Sequence, residues 1–420
     1  MSGEKIVEDR VQQLCEQLFF PDFTVRSPAF SKTRGREKEA ADVLVPFGDR
    51  LLIFQIKTKQ GGKPASEKTE TDFERIRRMV DKAIGQVKAA ISAVKNQRFE
   101  KLKTARGLEI PFDSKAPWNM LGLVVIDLLG EEKYAEKERT AIYSGYTKEP
   151  GIPTHVFLWP TFEAIVSELD TLPDLLDFLS LRERLLENRI LVPTTDDRDF
   201  LALYKINPDL VTQAADGGCD ILVVSAGSWD AYRERHAEEI EQRNLRNRAS
   251  FLIDGAISWL HKSIGHRIEA GAPDELNLEQ GTVEAYLGAA RAFASLTRLE
   301  RRSVGETLQA VMERAAAKGD AYSVWRRADA DWAVLCLSTG RSREERYRAI
   351  VNLSAMGFCR LGLRRLLGIA TEPVNETERS FDFSLLEDQP FEAEEHRRLA
   401  EEAKTVFGIE QRSRTGEYRP

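Results

Sequence analysis

Residues 42–58 read DVLVPFGDRLLIFQIKT, two runs of strand-forming residues joined by Gly48 and Asp49. Val, Leu, Ile and Phe are enriched in strands, and a Gly-Asp pair between two such runs is typical of a tight turn. The stretch therefore predicts a β-hairpin with strands at 42–47 and 50–58. The second strand has an apolar centre but ends in polar residues.

Three polar side chains of this hairpin are predicted to converge. Alternate residues of a strand share a face, so Gln55 and Lys57 point to one side while Leu52 and Phe54 point to the other. Asp42 opens the neighbouring strand, across the turn. A carboxylate, an amide oxygen and an ammonium at one sheet edge suit phosphodiester hydrolysis, because Mg²⁺ prefers oxygen ligands and an ammonium neutralises developing charge.

The spacing of these residues resembles the active-site signature of the PD-(D/E)xK nuclease superfamily. Asp42 is followed after twelve residues by Gln55, Ile56 and Lys57, which is similar to the Mrr-like restriction endonucleases, where the middle acidic residue is often glutamine. Ala41 stands where the motif has proline. The resemblance implies a restriction-endonuclease-like fold, a mixed central sheet flanked by helices, in a nuclease that uses Mg²⁺, with Mn²⁺ able to substitute. Asp42 and Gln55 would be metal ligands together with the Ile56 carbonyl, and Lys57 would orient or activate the attacking water.

Many such nucleases add a glutamate from the first helix, which residues 3–19 are predicted to form. Glu8 lies on the flank of the apolar stripe of that helix, and the resemblance makes it a fourth catalytic residue and metal ligand. Glu4 is a rival by helical angle, but it lies in the first turn. Asp9 and Glu16 point further from the stripe.

Basic residues near the motif are candidate nucleic-acid contacts. A basic loop precedes Asp42, and a helix predicted at 72–95 carries several arginines that could contact phosphates, with an ordinary solvated surface as the alternative. In related nucleases a polar residue of this helix often faces the active site, which adds a glutamine. The candidates are Lys32, Arg34, Arg36, Lys59, Arg75, Arg78 and Gln86.

Charge is unevenly distributed along the chain. The net charge is −7, yet residues 1–110 carry 22 Lys and Arg against 16 Asp and Glu, whereas the remainder carries 39 against 52. A basic N-terminal segment on an acidic body permits a polyanionic partner, for which double-stranded DNA is favoured. A local fluctuation of surface charge is the alternative.

The 420 residues are too many for one compact core. We expect an α/β nuclease-like domain at 1–190, a mostly helical domain at 191–330 and a small α/β unit at 331–420. No apolar run is long enough to span a bilayer, and the N-terminus lacks a signal-peptide core. The four cysteines form no CxxC pair. A cytoplasmic protein with reduced thiols and no membrane partner is expected.

The leading hypothesis is a Mg²⁺-dependent DNA endonuclease that acts in restriction or anti-phage defence. Its C-terminal region would sense a trigger or bind a partner protein, and a homodimer would suit a duplex that has two strands to cut. Because Gln55 removes one negative charge, the alternative is a catalytically silent nuclease fold that binds nucleic acid or a partner protein. A third hypothesis is a scaffold in which the acidic C-terminal half performs the function.

Overall fold

The computed structural model describes most of the chain. The described residues are 3–31, 37–58, 72–105, 107, 109–128, 145–192, 196–269, 281–327, 330–376, 379–388 and 391–407. They form a mixed α/β structure with mixed sheets, which confirms the α/β class. The chain divides into two compact units, Met1–Glu241 and Gln242–Pro420.

The first unit is built around a six-stranded mixed sheet. The strands of the whole unit, in chain order, are β1 Val25–Arg26, β2 Ala29–Ser31, β3 Glu37–Glu39, β4 Val43–Phe47, β5 Arg50–Thr58, β6 Lys101–Lys103, β7 Glu109–Pro111, β8 Asn119–Asp127, β9 Tyr146–Thr147, β10 Thr154–Leu158, β11 Leu191–Val192 and β12 Leu222–Val223. The central sheet has the order β1-β4-β5-β8-β10-β9, and the other six strands form three separate pairs. β5, β8 and β10 run parallel, while β1, β4 and β9 pair antiparallel with their neighbours.

Some helices of the first unit pack on this sheet, and others pack on neighbouring helices. They are α1 Gly3–Phe19, α2 Asp72–Lys95, α3 Trp159–Glu168, α4 Leu172–Glu187, α5 Asp197–Ile206, α6 Pro208–Gln213, α7 Ser228–Arg235 and α8 Ala237–Arg246, the last spanning the boundary between the units. α2 joins β5 to the parallel strand β8 and contacts both, and α1 also contacts β5. On one face of β5, Phe54 meets Phe162 of α3 edge to face, with ring centroids 6.1 Å apart. Burial on both faces explains why β5 and β8 are almost continuously apolar.

The boundary expected near residue 190 differs from the division observed. Arg182 of α4 is fully buried and bonds both carboxylate oxygens of Asp197 in α5, each at 2.9 Å. The same guanidinium lies 2.9 Å from the Nδ1 atom of His155 in β10. Burial, together with the charge of Arg182, holds the pKa of His155 well below its ordinary value. This cluster ties residues beyond 190 to the sheet, so they belong to the first unit.

The second unit contains a four-stranded sheet with helices packed on it. Its strands are β13 Asp320–Arg326, β14 Trp332–Thr339, β15 Arg365–Thr371 and β16 Phe381–Glu387, and its helices are α9 Ser250–Glu269, α10 Gly281–Ala294, α11 Arg298–Lys318, α12 Arg343–Leu361 and α13 Ala393–Phe407. β14 and β15 are parallel, and the edge strands are antiparallel to them. α11 contacts β13 and β14, so the helices expected to form a separate domain up to 330 pack on the C-terminal sheet instead. Among the described residues, no helix combines the length and apolarity needed to cross a bilayer.

A buried arginine organises one end of the second sheet. Arg346 of α12 is 1% exposed and donates to Asp382 at 2.6 Å, to Glu372 at 2.6 Å and to the Ser380 hydroxyl at 2.5 Å. Arg343, one turn earlier, lies 3.3 Å from Asp382. Because each Arg346 nitrogen has an oxygen partner, the cost of burying the charge is offset locally.

Candidate metal and nucleic-acid site

The predicted hairpin is confirmed and fixes the register of the candidate site. β4 and β5 pair antiparallel with Phe47 opposite Arg50, which leaves Gly48 and Asp49 as a two-residue turn. Gly48 has φ +58°, a positive value that the favoured two-residue hairpin turns require at their first central position and that glycine adopts without strain. The turn therefore brings the start of β4 beside the end of β5.

Asp42 is held between two neighbouring segments. Its main-chain N–H donates to the Phe54 carbonyl at 3.1 Å, and its own carbonyl accepts from the Ser27 N–H at 2.9 Å. The Oδ2 atom of the side chain accepts the Ile56 N–H at 2.5 Å. No hydrogen bond to the Oδ1 atom is made by the described residues. One half of the carboxylate is thus anchored to β5, and the other half remains available to a ligand.

Gln55 is buried, with 1% of its surface exposed, and only half of its amide is satisfied. The Nε2 atom donates to the Ala40 carbonyl at 3.3 Å, whereas the buried Oε1 atom has no hydrogen-bond partner among the described residues. Exchanging the two amide atoms would bring Oε1 against the Ala40 carbonyl, so the orientation is determined. A buried amide oxygen without a partner is unfavourable and is a ready ligand for a cation.

Lys57 lies beside Asp42, as the alternation of the strand predicts. Its Nζ atom is 3.7 Å from Asp42 Oδ2, and the two side chains are 15% and 17% exposed, respectively. The same ammonium donates to the Ile56 carbonyl at 2.8 Å. A cation, a carboxylate and a main-chain carbonyl therefore meet at the end of β5.

Burial sets the protonation behaviour of the Asp42 carboxyl. Desolvation raises its pKa above the ordinary value, and the negative charge of Glu39 acts in the same direction. Lys57 and the Ile56 N–H lower the pKa without cancelling the effect of burial. Glu39 is an exposed residue of β3 that the sequence interpretation did not select, although it stands only three positions before Asp42.

Several predicted site residues cannot be placed against this cluster. The backbone of Glu8 lies in α1, but its side chain is outside the described residues, as is that of Arg75 in α2. The remaining predicted contacts that lie outside the described part of the chain are Lys32, Arg34, Arg36 and Lys59. Their roles stay predictions.

The two other candidates of α2 differ in their environments. Arg78 is exposed, and it interacts with another group of the protein. Gln86 is half-buried, and its Oε1 atom is buried without a hydrogen-bond partner among the described residues. Gln86 therefore shares with Gln55 an unsatisfied amide oxygen in the interior of the first unit.

Strand register excludes Asp127 from the cluster. Asp127 of β8 lies opposite Thr58 of β5, and Lys57 lies opposite Ile126. Paired residues of neighbouring strands share a face, so Asp127 points to the side opposite from Gln55 and Lys57.

The arrangement offers oxygen ligands of mixed type beside one ammonium. Within the described ranges, no group of three or more His, Cys, Asp or Glu side chains could hold a metal ion. A metal site at β5 would instead combine the Asp42 carboxylate, the Gln55 amide oxygen and the Ile56 carbonyl. This oxygen-only set suits a hard cation such as Mg²⁺, which retains several waters.

Comparisons of the chain with models of known protein families, with curated proteins and with solved structures found no match. The candidate site therefore rests on its own geometry and chemistry.

Proposed function

We propose that the first unit is a PD-(D/E)xK-type nuclease that hydrolyses phosphodiester bonds of DNA with Mg²⁺, or with Mn²⁺ in its place. One observation carries the proposal. The Lys57 ammonium lies 3.7 Å from the Asp42 carboxylate, at the end of the strand that also holds the unsatisfied oxygen of Gln55.

The order of elements supports the same assignment. A helix, a short strand, a hairpin and a second helix lead to a strand parallel to β5, within a mixed sheet that helices contact. The resemblance in sequence implied a sheet of this kind, with the motif at the end of the hairpin. A restriction-endonuclease-like fold is therefore part of the proposal.

The residues present fit a divalent cation. Asp42 contributes a carboxylate whose Oδ1 atom accepts no hydrogen bond from the described residues, and Gln55 contributes a buried oxygen that lacks a partner. The Ile56 carbonyl, which now accepts from Lys57, completes the set. A bound Mg²⁺ would supply Lewis-acid stabilisation of the phosphate and lower the pKa of water.

Lys57 supplies the remaining electrostatic stabilisation in this proposal. Its ammonium is largely buried, so its field is screened less than that of a surface lysine. It can hold the attacking water by hydrogen bonding and offset the negative charge that develops on the phosphate oxygens. Asp42 and the Ile56 carbonyl keep the ammonium at the end of β5.

A second candidate function is nucleic-acid binding without cleavage. It is favoured by Gln55, which is neutral where a carboxylate would strengthen the affinity for a cation, and whose Nε2 atom is tied to the Ala40 carbonyl. In that case the site would retain the electrostatics for a phosphate backbone but lack a tightly held metal.

Cleavage of supercoiled plasmid DNA in Mg²⁺ and in Mn²⁺ tests the proposal. We expect wild type to nick or linearise the plasmid and Lys57→Ala to lose about 10²–10³-fold of that rate, as for other groups that stabilise developing charge. Lys404→Ala is the matched control, because it removes the same charge from an exposed lysine of the second unit.

The two candidate functions separate in the same experiment. Equal rates for wild type and Lys57→Ala at every metal concentration would exclude the enzyme. Metal-independent binding of the plasmid by wild type without any cleavage would favour the silent fold.

A further inference from the structure

The edge strand β13 of the second unit is less buried than the opposite edge strand. Its seven residues, DAYSVWR, include none that is fully buried, whereas β16 buries Phe381, Asp382 and Phe383. Helices α9, α10 and α12 contact β16, while α11 contacts β13 and Tyr322 meets Val406 and Phe407 of α13. On one side β13 pairs with β14, and no described strand pairs with its other side.

The central part of β13 lacks several features that normally prevent strands from associating. Natural edge strands carry charged side chains, lysine above all, or proline or bulges, or are covered. β13 contains neither lysine nor proline, its two charged residues stand at the strand ends, and it pairs with β14 without interruption from Asp320 to Arg326. Outside that ladder, the one hydrogen bond to its main chain from the described residues comes from Arg314, 3.4 Å from the Tyr322 carbonyl.

The sequence of β13 is complementary to itself in the antiparallel direction. Pairing about Ser323 would match all seven residues, with Asp320 opposite Arg326 of a second copy at both ends. Asp320 is held in place at the strand end by Thr339 and Arg341, at 2.5 Å each, and remains 45% exposed. The two charges of the strand therefore attract in this register and in no register shifted by two residues.

The uncharged positions fit the same register. Tyr322 would lie opposite Val324 of the second copy, and Ala321 opposite Trp325. Pairs of an aromatic with a β-branched residue are among the favourable cross-strand combinations. A self-complementary patch of this kind generates a closed two-fold dimer, which is the commonest symmetric assembly.

We propose that two copies of this chain associate through β13, antiparallel about a two-fold axis at Ser323, to form an eight-stranded sheet. The partner is a second copy because its strand supplies the opposite charge at each end of the same seven residues. The proposal does not depend on the nuclease function of the first unit. Since one strand pair buries little surface, the dimer is expected to be of micromolar affinity.

Sedimentation velocity of the full chain, from about 1 µM to about 100 µM, measures the association. We expect the mass to rise with concentration toward twice the 47.5 kDa of one chain. Arg326→Glu places a carboxylate opposite Asp320 and should weaken the dimer at least about tenfold. Arg397→Glu, the same reversal at an exposed site of α13, should leave the dimer unchanged. A monomer at every concentration, or a dimer insensitive to Arg326→Glu, would overturn the proposal.

Disulfide trapping tests the register. Ser323 lies opposite Cys336 of its own chain, so the variants are made in a Cys336→Ala background to prevent a disulfide within one chain. The Cys336→Ala protein without a further cysteine is the control for crosslinking by the remaining native thiols. Ser323→Cys should form a disulfide-linked dimer on mild oxidation, because the two copies of position 323 face each other. Ala321→Cys should not, since its two copies would be about 13 Å apart along the strands. Trapping at 321 and not at 323 would contradict the register.

Discussion

Two sites in this chain bring a cation to a carboxylate at the end of a sheet, and they differ in how fully their partners are satisfied. In the second unit, Arg346 directs its three nitrogens to Asp382, Glu372 and Ser380. In the first unit, Lys57 stands 3.7 Å from Asp42, while the neighbouring Gln55 has a buried oxygen with no described partner.

The difference is the one expected between a structural cluster and a binding site. A buried polar network in which every group is paired makes the fold more specific but has no capacity for a further ligand. The β5 cluster keeps that capacity in two oxygens, and it retains a carboxyl whose pKa is raised by burial. Unmet hydrogen-bonding capacity of this kind is expected where a protein binds something, since it is unfavourable for stability alone.

Replacing Arg346 should give the largest loss of stability among the variants of the two sites. Arg346→Met leaves Asp382 buried with its main charge partner lost, and Glu372 uncompensated, so the free energy of unfolding should fall by about 3–5 kcal/mol. Urea denaturation followed by circular dichroism measures it. Lys57→Met, the matched change in the first unit, should cost less than about 1 kcal/mol, because the Asp42–Lys57 pair is long at 3.7 Å and Asp42 keeps its hydrogen bond from the Ile56 N–H. Equal losses for both variants would remove the distinction between the sites.

A carboxylate at position 55 should make the β5 cluster more dependent on a bound cation. Gln55→Glu places a second negative charge beside Asp42, so the variant without metal should unfold at a lower temperature near pH 8. Mg²⁺ should reverse that loss and should bind at least about tenfold more tightly than to wild type, because affinity rises with the charge of the ligands. Thermal unfolding with and without Mg²⁺ and calorimetric titration provide the two readouts. A loss of stability that Mg²⁺ does not recover would count against a metal at this position.

Neutralising one aspartate in each site should change stability in opposite directions. Asp42→Asn removes a charge that burial disfavours while it preserves an acceptor for the Ile56 N–H, so the melting temperature of the first unit should rise by about 2–4 °C at neutral pH. Asp382→Asn weakens the bonds from Arg346 and Arg343 and should lower the stability of the second unit. Differential scanning calorimetry distinguishes the two outcomes. A fall in stability for Asp42→Asn would mean that its role is structural.

The smallest expected effect is the pH dependence of the difference in stability between Asp42→Asn and wild type. Because the folded state raises the pKa of Asp42, it holds the carboxyl proton more tightly than the unfolded chain does. The associated stabilisation is complete below the unfolded value of about 3.9 and is lost as the pH rises through the folded value. The stability gained by Asp42→Asn should therefore grow from about pH 4 upward and then level off. Urea unfolding of both proteins across this range measures the difference, and a constant difference at all pH values would contradict the raised pKa.

Local patterns in the sequence were sufficient for much of the first unit. The helix at 3–19, the hairpin around Gly48 and the helix at 72–95 are found with those bounds or within one residue, because each depends on periodicity, turn residues and caps within a short window. The proximity of Asp42 and Lys57 follows from the same alternation once the hairpin register is fixed.

Interactions between distant residues were not predictable in this way. The Ala40 carbonyl orients Gln55 from 15 positions away, and the partners of Arg346 lie 26 to 36 positions from it. β13 was missed because Asp320–Arg326 lacks the apolar run of a buried strand, as an edge strand often does. The expected domain boundaries fell where the type of predicted element changes, whereas the two units are defined by tertiary packing that the order of elements does not encode.

Anomalous diffraction from crystals of the full chain soaked in Mn²⁺ tests the proposed metal site most directly. We expect a single strong peak at the end of β5, bonded by Asp42, by the Oε1 atom of Gln55 and by the Ile56 carbonyl, and absent from Asp42→Asn crystals. Crystals that bind Mn²⁺ elsewhere, or that leave the Gln55 oxygen to a water while the Lys57 ammonium closes on Asp42, would contradict it.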